Sequence, residues 1–240
     1  MSKRFATTQW NVVIEARDGT ESQARLALET LCHAYWFPLY AYVRSRGHAA
    51  DAASDLTQAF FAELLGRNFL DVIDRSKGRF RSFLLASLEH FLSHERDKAN
   101  ALKKGGGVQP ISLDAADAET RLRFEPADAE TPEKVFERRW GLTVMERTME
   151  RLRAEYGDQP ARFEQLKPCL TGDNPDRYRE LAATLGMSET AVKAAVHRLR
   201  QHYGRLLRDE IAETVASESE VDQELRHLLA IVRPWQDGEA

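Results

Sequence analysis

The chain has 240 residues, of which 42% are hydrophobic, and its 34 Lys and Arg against 38 Asp and Glu give a formal net charge of −4. This length suits one large or two small domains, and the hydrophobic fraction is sufficient for real cores. No apolar run approaches the roughly 20 residues that cross a bilayer. The N-terminus turns polar too early for a secretory signal, so we expect a cytoplasmic, non-membrane protein.

Helical periodicity dominates the chain, and no stretch alternates apolar and polar residues as a half-buried strand would. In the first 104 residues, apolar side chains recur every three or four positions, which is typical of amphipathic helices. The three apolar faces comprise Leu26, Leu28, Leu31, Tyr35 and Leu39; Leu56, Phe60, Phe61, Leu64 and Leu65; and Phe80, Phe83, Leu84, Leu88, Phe91 and Leu92. We therefore predict an all-α fold whose first helical domain covers residues 1–104.

Residues 105–131 have the composition of a linker. Three glycines, Gly105–Gly107, interrupt the helical pattern, and few large apolar side chains follow them. Between Gln109 and Glu137 there are 8 Asp and Glu and 3 Lys and Arg, a local net charge of −5. The glycines do not form a phosphate-binding loop, because no Gly-Lys-Ser/Thr follows them. The segment predicts an extended acidic linker between two helical domains.

The second helical domain is predicted over residues 132–208, followed by an acidic C-terminal extension over residues 209–240. Helices resume at Pro132, a residue that suits a first helical turn. The extension carries 9 Asp and Glu against 2 Lys and Arg, and its spaced apolar residues predict one or two short amphipathic helices. We hypothesise that the extension packs back on the second domain and masks a basic helix there, or that it binds a partner.

The overall charge conceals two basic islands. Residues 75–104 carry 8 Lys and Arg and 3 Asp and Glu, residues 177–208 carry 7 and 2, and each island therefore has a local net charge of +5. Two basic segments separated by an acidic one suggest two separate contacts with a polyanion. Two solvated helix faces would give the same counts, so the residue pattern has to distinguish the two interpretations.

The stretch ELAATLGMSETAVKAAVHRLRQHY, residues 180–203, has the pattern of a helix-turn-helix. Gly186 is placed to adopt a left-handed conformation at the end of the first helix, and Ser188 is placed to cap the second. The second helix carries an apolar stripe of Val192, Val196, Leu199, Tyr203 and Leu206. Its opposite face carries Thr190, Lys193, Ala194, His197, Arg198 and Gln201, and Arg200 is also predicted to point outward. Such a face is typical of a helix that contacts the DNA major groove, and a helical hairpin without a ligand is the alternative.

Three stretches, in order along the chain, resemble one protein family. The stretch YRELAATLGMSETAVKAAVHRLRQHYGRLLRDEI, residues 178–211, resembles region 4 of the sigma-70 superfamily of bacterial RNA polymerase initiation factors, of the extracytoplasmic-function type. DLTQAFFAELL, residues 55–65, resembles the DLxQExF helix of region 2. KGRFRSFLLASLEHFL, residues 77–92, resembles the segment that leads into the promoter-facing helix. The resemblance covers most of residues 10–208.

The resemblance implies a non-enzymatic promoter-specificity factor that works with core RNA polymerase. Region 4 of such factors contacts the minus-35 element in duplex DNA, which implies this role for Thr190, Lys193, Ala194, His197, Arg198 and Gln201. Region 2 binds the polymerase, and the matching residues are Asp55, Leu56, Gln58, Phe61 and Glu63. Region 2 also captures a flipped base of the melted minus-10 element, and the polar candidates are Lys77, Arg79, Arg81, Ser87, His90, His94, Arg96 and Lys98. The implied partners are the polymerase β′ clamp helices and β flap, promoter DNA, and an anti-sigma or other regulatory protein.

The aromatic residues of the region 2 stretches have a structural alternative to these roles. Phe60, Phe61, Phe80 and Phe83 recur at helical spacing, which is more typical of a core than of a contact surface. Asp55 is equally suited to capping a helix.

We predict no metal and no cofactor. The two cysteines, Cys32 and Cys169, form no CxxC pair and are expected to be small buried side chains. His90 and His94 lie four residues apart, as metal ligands on one helix can, but the HExxH pattern would require histidine in place of Lys98. A set of nucleophile and base, or of paired carboxylates, is not evident in the sequence, which disfavours an enzyme. The competing function is an autonomous helix-turn-helix repressor or activator whose N-terminal helices sense a ligand or dimerise.

Overall fold

The computed structural model of the chain describes residues 20–64, 79–102, 131–157, 159–172, 175–215 and 217–232. Every regular element in this part of the chain is helical, which confirms the predicted all-α fold. The α-helices are α1 (Glu21–Ser45), α2 (Ala50–Leu64), α3 (Phe80–Leu102), α4 (Pro132–Glu155), α5 (Pro160–Leu166), α6 (Pro175–Leu185), α7 (Glu189–Ala212) and α8 (Val221–Val232). Short 3-10 helices cover Lys167–Cys169 and Glu218–Glu220. None of these helices combines the length and apolar character needed to cross a membrane.

The chain divides into two compact units, but not at the predicted domain boundaries. Met1–Thr143 together with Ala212–Ala240 form the first unit, and Val144–Ile211 form the second. The beginning of α4 and all of α8 therefore belong with the N-terminal helices. The predicted linker, residues 105–131, lies outside the described residues except for Thr131.

The core of the first unit is built from the predicted apolar faces of α1, α2 and α3. The rings of Tyr35 and Phe80 meet edge to face with centroids 5.5 Å apart, and those of Phe60 and Phe91 lie 5.7 Å apart. These contacts join α1 to α3 and α2 to α3, as amphipathic helices require. Leu26 is an exception because it is 64% exposed.

The core of the second unit lies between α4, α5, α6 and the inner face of α7. Its fully or nearly fully buried members are Leu152, Phe163, Leu166, Cys169, Tyr178, Leu181, Val192, Ala195, Val196, Leu199 and Leu206. The predicted stripe of α7 is therefore confirmed at four positions, and Tyr203 packs against the same core while partly buried. Because one face of α7 is held in this core, its opposite face is directed away from it.

Candidate nucleic-acid interface

The turn between α6 and α7 has the backbone conformation that the sequence predicts. Gly186 has a φ of +61°, which lies in the left-handed region. The Met187 N–H donates to the Ala182 carbonyl at 2.9 Å, and the Gly186 N–H donates to the Ala183 carbonyl at 3.4 Å. These two bonds form a Schellman motif, which satisfies the last carbonyls of α6 and ends the helix.

Ser188 caps the N-terminus of α7. Its Oγ accepts a hydrogen bond from the Ala191 N–H at 3.2 Å, and its carbonyl accepts the first helical bond from the Val192 N–H at 3.0 Å. Glu189 lies in the first turn, where a negative charge favours the helix dipole. The capping prediction is therefore confirmed, and α7 begins at a well-defined residue directly after the turn.

The face of α7 opposite the core is exposed along three turns. The outer face of α7 consists of Thr190, Lys193, Ala194, His197, Arg198 and Gln201, and all six side chains are exposed. The face begins in the first turn of the helix and contains two permanent cations and no carboxylate. Small and hydrogen-bonding side chains near the start of a projecting helix are able to contact base edges in a major groove.

Arg200 differs from the outer face, although it belongs to the same basic island. Its guanidinium donates to the Cys169 carbonyl from Nε at 3.0 Å and from Nη2 at 2.6 Å, and to the Gly172 carbonyl from Nη2 at 2.7 Å. The prediction that Arg200 points outward is wrong, because these carbonyls follow α5 and hold the side chain against the second unit. Arg200 therefore fixes α7 to the segment that precedes α6.

The second basic island, on α3, is only partly exposed. Among the predicted minus-10 residues, His90, His94, Arg96 and Lys98 are exposed, Arg79 and Ser87 are half-buried, Arg81 is buried, and Lys77 lies outside the described residues. The rings of His90 and His94 have centroids 4.3 Å apart. Lys98 donates to Glu95 at 2.7 Å, and this hydrogen bond raises the pKa of the Lys98 ammonium group. No cluster of three or more metal-ligating side chains occurs among the residues described.

Arg81 lies in the interior of the first unit and is only 2% exposed. Its Nε donates to both carboxylate oxygens of Glu137, at 2.9 and 2.8 Å, and its Nη1 is paired with Glu224. Its guanidinium also stacks over the Trp140 ring, with Cζ 4.4 Å from the centroid. Burial lowers the pKa of Arg81, and the charge of Glu137 opposes this effect. The position of Arg81 therefore does not suit the predicted DNA contact.

The C-terminal helix α8 contributes two more side chains, Glu224 and His227, to the group of charged residues around Arg81 and Glu137. Glu224 is fully buried, and its Oε2 lies 2.9 Å from the Arg79 Nε. His227 Nε2 lies 2.8 Å from Glu137 Oε2. The observed contacts of α8 are therefore within the first unit, and the predicted mask over the basic helix of the second domain stays a prediction. One sequence signal was available, since Glu224 occupies a core position between the buried residues Val221 and Leu228.

The predicted polymerase-binding residues lie on α2 with different degrees of exposure. Glu63 is exposed, and Asp55, Leu56 and Gln58 are half-buried. Phe61 is 3% exposed and meets the Phe60 ring at a centroid distance of 5.9 Å. Its role is therefore in the core, as helical spacing suggested, rather than at a contact surface.

Comparison of the chain with protein-family models, with curated proteins and with solved structures found no match.

Proposed function

We propose that this protein is a promoter-specificity factor that associates with core RNA polymerase, and that the outer face of α7 contacts the minus-35 element of duplex DNA. The observation that carries the proposal is the exposure of all six side chains of this face on a helix whose other face is buried. The Schellman turn and the Ser188 cap support it, because they define where the helix starts and how it leaves the turn.

The chemistry of the outer face suits a DNA major groove. Lys193 and Arg198 are able to donate to guanine O6 and N7 or to phosphate oxygens. The Thr190 methyl and Ala194 are small enough to contact a thymine methyl group. His197 and Gln201 add hydrogen-bonding groups on the following turns. The face therefore combines charge for affinity with groups that distinguish bases.

The exposed polar residues of α3 support a second contact, with melted minus-10 DNA. His90 and His94 present imidazole rings to solvent, and Arg96 and Lys98 add positive charge on the next turn. Rings and guanidinium groups provide surfaces on which unpaired bases stack, and cations follow the phosphate backbone. This second contact is proposed without Arg81, whose guanidinium is buried.

The polymerase contact is assigned to the accessible side of α2. Asp55, Leu56, Gln58 and Glu63 retain exposed or half-exposed side chains. Phe61 is left out of this assignment because it belongs to the core. On this proposal the factor acts by binding alone: one contact places the polymerase on duplex DNA, and another stabilises the melted strand.

The test is transcription in vitro with purified core polymerase, genomic promoter fragments and the full-length chain. Lys193→Ala and Arg198→Ala should each weaken promoter binding by about 1–3 kcal/mol if they contact base edges. Start-site selection should be lost while association with core polymerase is retained. Arg153→Ala is the matched control, because Arg153 is an exposed arginine of α4 paired with Glu164 at 3.1 Å. Unchanged start-site selection in the Lys193→Ala, Arg198→Ala double variant would contradict the proposal.

Duplex binding without polymerase and co-purification with the core enzyme distinguish the autonomous repressor or activator. Such a regulator should bind duplex DNA tightly without polymerase and should not co-purify with the core enzyme. A promoter-specificity factor should require the polymerase to hold the melted strand. Failure of the full-length chain to associate with core polymerase, together with tight unaided duplex binding, would favour the autonomous regulator.

A further inference from the structure

The helix α8 is attached to the first unit at both of its ends. Near its start, Glu224 is paired with Arg79 and Arg81 at the beginning of α3. Near its end, Val232 and Ile231 pack directly onto Gly141, where an added Cβ would lie 2.8 Å from Val232 Cγ1 and 3.2 Å from Ile231 Cδ1. Charge therefore holds one end of α8, and a close approach that requires a glycine holds the other.

The charged end is held by ion pairs. The Glu224 oxygens contact the guanidinium groups of both Arg79 and Arg81, and the Glu224 side chain is fully buried. A buried carboxylate is unfavourable unless cations compensate it. Glu224 needs the two arginines more than they need Glu224. Arg81 also has two hydrogen bonds to Glu137, and the Arg79 side chain is 30% exposed to water. Detachment of α8 would thus leave both guanidinium groups without Glu224, with Arg79 unpaired by that carboxylate and Arg81 still bonded to Glu137.

This site lies at the N-terminal end of α3, where peptide dipoles also favour an anion. The exposed cationic and imidazole side chains of α3 continue along the same helix towards its C-terminus. A single nucleic-acid strand carries a phosphate at every nucleotide and binds to rows of cations with adjacent stacking groups. A strand that follows α3 to its start would therefore bring a phosphate to Arg79, whose side chain is 30% exposed and is paired with Glu224.

We propose that α8 is an internal competitor of single-stranded DNA: the Glu224 carboxylate occupies a phosphate site formed by Arg79 and Arg81, and detachment of α8 opens this site. The inference rests on the proposed function, because it takes α3 as the contact for melted DNA. It makes the C-terminal helix a regulatory element of the first unit. On this basis the wild-type chain alone binds single-stranded DNA weakly.

The experiment measures binding of a fluorescent single-stranded oligonucleotide to the full-length chain over a range of salt concentrations. Glu224→Gln removes the charge, and Gly141→Leu displaces the other end of α8 without changing any charge. Both variants should raise affinity at low salt by roughly 5-fold, and should steepen the dependence of log affinity on log salt by about 0.7 for each phosphate gained. Glu218→Gln, a change of an exposed acid in the 3-10 helix before α8, is the control for loss of one negative charge and should change neither quantity.

Hydrogen exchange within α8 establishes whether the substitutions detach it, and circular dichroism establishes that the helices remain folded. If α8 exchanges faster in either variant while affinity and salt dependence stay at wild-type values, the competitor proposal is wrong. If neither substitution accelerates exchange, α8 is not detachable and the proposal is equally wrong. An equal gain in affinity for the duplex of the same sequence would overturn the assignment to single strands.

The outcome is separable from that of the proposed function. Tighter oligonucleotide binding by both variants, with no polymerase-directed transcription by the wild type, would support the competitor and contradict the promoter-specificity role. Directed transcription by the wild type, with unchanged oligonucleotide binding by both variants, would support the promoter-specificity role and contradict the competitor.

Discussion

The two basic islands have the same net charge but differ in where that charge lies. On α7, Lys193 and Arg198 are exposed on a face free of carboxylates. At the start of α3, Arg79 and Arg81 are paired with carboxylates of α4 and α8 within the first unit. A count of charges along the sequence therefore does not give the charge of a surface. Long-range ion pairs decide how much of it remains available to a ligand.

The same difference separates structural from functional effects of substitution. A buried ion pair is costly to break because its partner is left charged in the interior. Replacement of an exposed cation has little effect on stability, because water already solvates the charge. Substitutions in the two islands should therefore divide into those that reduce stability and those that reduce only binding.

The largest effect is expected from Arg81→Ala. This substitution leaves Glu137 and Glu224 without their shared guanidinium and removes the stacking on Trp140, so the first unit should lose about 3–5 kcal/mol of unfolding free energy. Tryptophan fluorescence during urea denaturation measures it, because Trp36 and Trp140 belong to the first unit.

The control for Arg81→Ala is Arg198→Ala, an equal change of side chain on an exposed face. Its effect on unfolding free energy should stay within about 0.5 kcal/mol. If Arg81→Ala were as mild as Arg198→Ala, the contrast between the two islands would not hold.

An intermediate effect is expected from Arg200→Ala, which tests whether one arginine of the α7 island behaves like the paired arginines of the α3 island. The substitution removes the charged donor of the Cys169 and Gly172 carbonyls, and hydrogen bonds of charged groups contribute about 1.5–3 kcal/mol. Thermal unfolding followed by circular dichroism should show a lower midpoint for the second unit. Arg205→Ala, an exposed change on the same helix, should leave the midpoint near that of the wild type.

The smallest effect is expected from Ser188→Ala, which removes the acceptor for the Ala191 N–H. Loss of an N-cap costs about 1 kcal/mol, so hydrogen exchange should accelerate in the first turn of α7. Ser188→Asp should restore protection because aspartate caps as well as serine. Equal exchange in the two variants would mean that the cap does not stabilise the start of the helix.

The parts of the fold that are set by residues close together in the sequence could be predicted from it. Gly186, Ser188 and the stripe from Val192 to Leu206 are confirmed, because a turn, a cap and a 3.6-residue period are set within a few positions. The helical character of α1, α2 and α3 follows for the same reason. Each of these features leaves a signal at fixed spacing.

The contacts between distant segments could not be predicted in the same way. Arg81 and Glu137 are 56 residues apart, and Glu224 lies still further along the chain. No periodicity indicates which carboxylate will reach which guanidinium, so Arg81 was expected at the surface. The same pairs connect α8 to the beginning of α3. Arg200 was misplaced because backbone carbonyls, which hold it, have no sequence signature.

The turn at Gly186 also has a consequence for protein chemistry. Nothing lies within 4 Å of the position that a Cβ would take there, so an L side chain at this site is disfavoured by the left-handed backbone and not by lack of room. A D-alanine introduced by peptide ligation would adopt this backbone conformation naturally. It would also reduce the conformational freedom of the unfolded chain. A D-alanine at position 186 should therefore make the folded turn between α6 and α7 more stable than glycine does.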